Sequence, residues 1–166
     1  MFQKLKVFFT SARFVIPALI LLPIVFFIIV SVSGPHTLAD KNGQAFKNAI
    51  YALPNDTKQV DLRDLTPFDW DYMYSFYPYM SVEEIENIIG FKSNEIRMVE
   101  SENIQQMLFV KDNKVVCSIF GSLNKLNFYF NLGEFEDRQI KISKTDDAVF
   151  DVETRNGIKY FSIAEE

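Results

Sequence analysis

The chain has 166 residues, 48% of them hydrophobic and 23% charged, with a formal charge of −5. This length holds one globular domain of about a hundred residues plus an appendage, which excludes a TIM barrel or a full dinucleotide-binding enzyme, and the hydrophobic content excludes a disordered chain. All 22 acidic residues lie at Asp40 or later, so residues 1–33 carry +3 while residues 34–166, with 14 basic against 22 acidic side chains, carry −8.

Residues 14–32 read FVIPALILLPIVFFIIVSV, 19 residues without a charge. As a helix they would span about 28 Å, the thickness of a bilayer's hydrocarbon core. Pro17 and Pro23 would break a soluble helix but are tolerated in a membrane-spanning one. Lys4, Lys6 and Arg13 precede the run, and such short basic flanks stay in the cytoplasm. The expected organisation is a cytoplasmic N-terminus at 1–13, a transmembrane signal anchor in membrane lipid at 14–32, a linker at 33–43 and an extracytoplasmic domain at 44–166. The long leading segment and long apolar run favour an anchor over a cleaved signal peptide, whose processing sites would follow Ser33 or Ala39. Lipid attachment would need an N-terminal cysteine, but the single cysteine is Cys117, which also excludes an internal disulfide.

In chain order, residues 44–53 place Ala45, Phe46, Ala49, Ile50 and Leu53 on one side of an amphipathic helix that Pro54 ends. Phe68, Trp70, Tyr72, Tyr74 and Phe76 alternate with Asp69, Asp71, Met73 and Ser75, which predicts a half-buried strand with the aromatics on its core face. Ser81 and Glu84 form a capping box at the start of a helix whose apolar face is Val82, Ile85, Ile88 and Ile89, with Gly90 ending it. Strands are then predicted at 96–99, 105–110, 115–120, 126–130, 139–142, 148–153 and 158–163. Asp112-Asn113 and Asn156-Gly157 predict tight antiparallel hairpins. The fold class is α+β: an N-terminal transmembrane helix, then one domain with two short helices and a mainly antiparallel β-sheet.

Residues able to carry chemistry are few. The one histidine, His36, lies beside the apolar run without a neighbour to orient it. Cys117 sits mid-strand with apolar residues on both sides, the setting of an inert thiol. No zinc-ligand spacing or glycine-rich phosphate loop occurs, so no cofactor is expected. Asp69 and Asp71 share a strand face in the predicted arrangement and could hold Ca²⁺ or a carbohydrate. Tyr77 and Tyr79 flank Pro78 at a strand end and are candidates for partner contact, as tyrosine is enriched at interfaces. A second aromatic cluster is residues 126–130, LNFYF, followed by Phe135. The acidic outer part would be repelled by phosphates, which excludes nucleic acid.

Residues 65–90 place the aromatic run LTPFDWDYMYSFYPY ahead of the capped helix ending in Ile-Ile-Gly. This stretch resembles a group of uncharacterised small bacterial envelope proteins, often lipoproteins, in which an F-x-W-D-x-x-Y-x-F-x-P-Y strand precedes a short helix. The resemblance implies an envelope location and no particular activity. The missing lipid-bearing cysteine sets this chain apart in how it is anchored. The expectation is a non-enzymatic, membrane-anchored domain outside the cytoplasm that binds an envelope protein, of the immunity or accessory kind. The alternative is a carbohydrate- or Ca²⁺-binding module using aromatic residues with Asp69 and Asp71.

Overall fold

Helix α1 (Leu38–Ala52) opens the described part of the chain and runs along one strand edge of the sheet beneath it. The computed structural model describes residues 37–164; the expected cytoplasmic segment 1–13 and membrane anchor 14–32 lie outside them. Among the described residues no helix is long and apolar enough to cross a membrane. After α1 come β1 (Gln59–Asp61), α2 (Leu62–Leu65), β2 (Tyr72–Phe76), α3 (Val82–Ile89), β3 (Ile104–Lys111), β4 (Lys114–Ser122), α4 (Leu123–Leu126), β5 (Phe128–Asn131), β6 (Gln139–Ser143), β7 (Val149–Arg155) and β8 (Ile158–Ile163). The α+β class and the antiparallel bias hold.

Residues 37–43, expected as linker, form the N-cap and first turns of α1. Thr37 accepts a hydrogen bond from the Asp40 N–H at 3.1 Å and the Asp40 carboxylate accepts from the Thr37 N–H at 3.3 Å, a capping box written with Asp in place of Glu. The small polar residues that suggest a linker have packing reasons instead. A Cβ at Gly43 would stand 3.1 Å from the Ser118 carbonyl oxygen, so glycine lets the helix lie close against β4. Asn42 donates its amide to the Val116 carbonyl at 2.8 Å. Val116 lies where the β3–β4 register shifts between Phe109 and Val110, and a bulge of this kind leaves a ladder group needing a partner.

The single predicted sheet is two four-stranded sheets, ordered β4-β3-β2-β6 and β1-β7-β8-β5. Pairings are antiparallel except β5 with β8, which run parallel. The hairpins at Asp112-Asn113 and Asn156-Gly157 form, with positive φ at all four residues, the geometry that gives a two-residue turn the twist of its strands. Residues 96–99 are irregular rather than a strand, yet Ile96 and Val99 are buried, and the Arg97 carbonyl accepts from the Gln106 side chain at 2.9 Å. The core between the sheets draws on both of them and on α1, with Phe46, Phe109, Phe128, Phe150 and Phe161 fully buried. A second cluster, Tyr74, Phe76, Leu108 and Val110 beneath Ile85 of α3, covers the other face of the β4-β3-β2-β6 sheet.

The aromatic alternation therefore divides. A bend at Asp71 interrupts the extended chain, and parity counts only along an unbroken strand. Trp70, before the bend, enters the inter-sheet core with Met73, while Tyr74 and Phe76 enter the second cluster. Tyr72 stays 39% exposed beneath the Lys141 ammonium. β2 is a central strand buried on both faces, not a half-buried one, since Ser75 is buried as well.

Each sheet edge is covered, bridged or short. α1 covers β4. The Gln105 amide bridges the outer edge of β5, donating to the Phe128 carbonyl at 2.9 Å and accepting from the Phe130 N–H at 3.1 Å. On β6, Gln139 exchanges backbone bonds with Glu136, while the Ser143 N–H donates to the Asp146 carboxylate at 2.7 Å and its carbonyl accepts from the Asp146 N–H at 3.0 Å. Only Lys141 between them presents outward backbone groups, and lysine on an edge discourages pairing. β1 is three residues long. Unpaired edges template association, so this arrangement leaves side-chain faces as the way to meet a partner.

Candidate binding surface

The four residues expected to meet a partner fall at the two ends of β2, about 20 Å apart at the rise of an extended strand. Asp69 and Asp71 precede the strand, rather than sharing a face of it. The Asp69 carboxylate lies between the ammonium groups of Lys111 and Lys144. Their hydrogen bonds bring its pKa down to about 2. Asp71 accepts from the Asp112 N–H at 3.2 Å, while its own N–H donates to the Val110 carbonyl at 2.8 Å. These carboxylates tie β2 to the β3–β4 hairpin and the β6–β7 connection, so their charge is already engaged inside the fold.

This gives an acid-stability prediction. A carboxylate whose folded pKa lies below its unfolded value stabilises the fold above the ordinary carboxylate range, and that contribution is lost as pH falls toward about 2. Asp69→Asn in the full chain is expected to lower the urea midpoint at pH 5–7, and the gap to the parent should close between pH 4 and pH 2. An equal gap at pH 6 and pH 2 would show that the lysine clamp does not titrate with Asp69.

At the far end of β2, Tyr77 and Tyr79 are 48% and 58% exposed. Tyr77 meets the half-exposed ring of Phe135 edge-on, with centroids 5.4 Å apart. Tyr79 holds a left-handed backbone, φ 70°, uncommon for a bulky side chain, and its N–H donates to the Val99 carbonyl at 2.7 Å. A crevice of about 120 Å³ is lined in part by Phe135, Pro78, Gln105 and Tyr129, and neither Tyr77 nor Tyr79 lines it.

The larger exposed surface is one the sequence reading did not assemble. The β4-β3-β2-β6 sheet is covered on both sides, whereas the β1-β7-β8-β5 sheet has one face on the core and one open. Alternation along β5 turns Phe128 and Phe130 inward and leaves Tyr129 and Asn131 outward. Along β8, Phe161 points inward and Tyr160 outward. The parallel register sets Tyr129 beside Tyr160 and Asn131 beside Ser162, and β7 adds Asp151 and Glu153 in register with Ser162 and Tyr160. The two tyrosines stand between a shallow depression of about 550 Å³, floored by Asp151, Arg155 and Ser162, and one of about 530 Å³ bordered by Glu102 and Asn124.

The charges on this face are partly paired. Arg155 forks onto Glu153, and its guanidinium carbon stands 5.6 Å from the centroid of the Tyr160 ring. The guanidinium beside Glu153 holds that carboxyl below its usual range. Among the described residues Asp151 accepts only from the neutral Gln59 amide, at 2.9 Å. Tyr129 belongs to the LNFYF cluster of the sequence, so alternation beside two core phenylalanines was the signal available for it. Tyr160 had none, because its neighbour on β5 is fixed by a long-range parallel pairing.

Cys117 is fully buried, and burial pushes its thiol well up from the ordinary value, far from a reactive thiolate. His36 lies outside the described residues. Among the described residues no three His, Cys, Asp or Glu side chains converge as a metal site. The chain matches no family model, no curated protein and no solved structure.

Proposed function

We propose that this chain is a non-enzymatic binding domain, tethered to the cytoplasmic membrane by residues 14–32 and held outside the cytoplasm, which engages another protein of the envelope through the open face of the β1-β7-β8-β5 sheet. The observation that carries this reading is the placement of Tyr129, 42% exposed, beside Tyr160 on the one open sheet face among the described residues. Exposed tyrosines ringed by polar groups are the composition of a recognition surface, since each ring offers large contact area at little conformational cost. The covered or short edges support face recognition over strand addition. The uncharged 19-residue run and its basic flank support the tether and its orientation. An immunity protein that neutralises a toxin, or an accessory factor of envelope assembly, would use such a domain.

Photo-cross-linking of the full chain in the membranes of cells that make it tests this reading. A cross-linker at position 129 is expected to capture a discrete protein, and one at Glu83 on α3 is not. No discrete adduct from position 129, or the same adducts from both positions, would overturn the assignment of this face.

A further inference from the structure

Resting on that reading, we infer that the partner's contacting surface is basic, and that one of its Arg or Lys side chains sits over Tyr129 as the chain's own Arg155 sits over Tyr160. Arg155 shows what this face accepts. Its guanidinium is held by the Glu153 carboxylate on one side and lies against the Tyr160 ring on the other. That combination joins an ion pair to the attraction between a cation and the electron-rich face of an aromatic ring. One strand over and in direct register, Tyr129 repeats the ring without the cation. No ring or cation among the described residues lies against it.

The carboxylates for a second cation are in place. Asp151 borders the depression on one side of Tyr129 and Glu102 the depression on the other. Neither forms an ion pair among the described residues, and both Arg155 and Lys58 act on Glu153. The residues lining these two depressions include no other basic side chain. The charge of −8 on residues 34–166 adds a long-range attraction for a basic partner and speeds encounter. A sugar could also lie on tyrosine rings, but a neutral sugar would leave Asp151 and Glu102 without a countercharge.

The test uses the full chain in nanodiscs of zwitterionic lipid, with a fluorescent octa-arginine peptide and a neutral hexasaccharide as probes. The peptide is expected to bind, and more weakly as salt rises. Tyr129→Ala is expected to weaken it about 2- to 5-fold, the range for losing one exposed cation–ring contact, while Tyr129→Phe keeps most of the binding. Asp151→Asn is expected to weaken it, and Glu83→Gln, on α3, to leave it unchanged. Peptide binding indifferent to Tyr129→Ala and Asp151→Asn, or equally sensitive to Glu83→Gln, would overturn the inference. So would Tyr129-dependent binding of the hexasaccharide without the peptide. A captured protein whose cross-linked segment carries no Arg or Lys would overturn this inference and leave the binding role standing.

Discussion

Phe109→Ala is expected to lower the unfolding free energy by about 3–5 kcal/mol, the range for emptying a large aromatic site in a closed core. Phe109 is fully buried on β3, and three rings surround it, those of Phe46, Phe68 and Trp70, each with its centroid 5.4 Å away. Phe46 comes from α1, and Phe68 and Trp70 come from the segment between α2 and β2. The truncation therefore opens a hole bordered by two separately positioned elements, which cannot both move in to fill it. Domains of this kind are stable by about 5–15 kcal/mol, so the variant gives up a large share of what holds it folded. Urea unfolding of the full chain in nonionic detergent, followed by circular dichroism, measures the loss. Phe109→Leu, which refills much of the space, should lose less. A loss under about 1 kcal/mol for Phe109→Ala would contradict the placement of this ring at the centre of the core.

Trp70→Ala is expected to cost a similar amount, about 3–5 kcal/mol, through two separable losses. The indole is 1% exposed, and its N–H donates to the Thr66 hydroxyl at 2.8 Å. Thr66 in turn lies against the carbonyls of Leu62 and Arg63 at the end of α2. The indole thus both fills the core and fastens the short helix that leads into β2. Trp70→Phe keeps much of the ring and removes the hydrogen bond, isolating a contribution of about 0.5–1.5 kcal/mol. Because Trp70 and Phe109 touch, the double alanine variant is expected to lose less than the sum of the two, with a coupling of about 0.5–3 kcal/mol. Strict additivity would mean that the rings act independently. Trp70 is the only tryptophan, so circular dichroism rather than fluorescence must follow these variants.

Where the sequence reading succeeded, the cause was local. Ser81 and Glu84 cap α3 because the cap is made within four residues, and Gly90 ends it with a left-handed φ of 86°. The two hairpins follow from residues that accept positive φ at the turn itself. Where it failed, the deciding contact was distant. Thr37 and Gly43 suggest a linker until β4 is alongside, and then the glycine is the residue that lets α1 approach. The alternation from Phe68 to Phe76 is real as a pattern, but the bend at Asp71 splits it between two cores. Asp69 and Asp71 suggest open ligands until Lys111, Lys144 and the Asp112 N–H arrive from elsewhere in the chain.

The division of charge, +3 on residues 1–33 and −8 on residues 34–166, is a feature that the sequence determined by itself. Net charge along a chain is a sum that no folding changes, and so is an unbroken apolar run beside a basic flank. Cap residues and turn residues belong with them, since each acts on neighbours a few positions away. Only the tertiary structure decided that there are two sheets, that one keeps an open face, and that Tyr129 meets Tyr160 there. Strand partners are chosen by the burial of both faces at once, so the outward set of β5 has no meaning until β8 lies beside it. The −8 of residues 34–166 acquires a place in the same way, as Asp151 and Glu102 flanking an exposed ring.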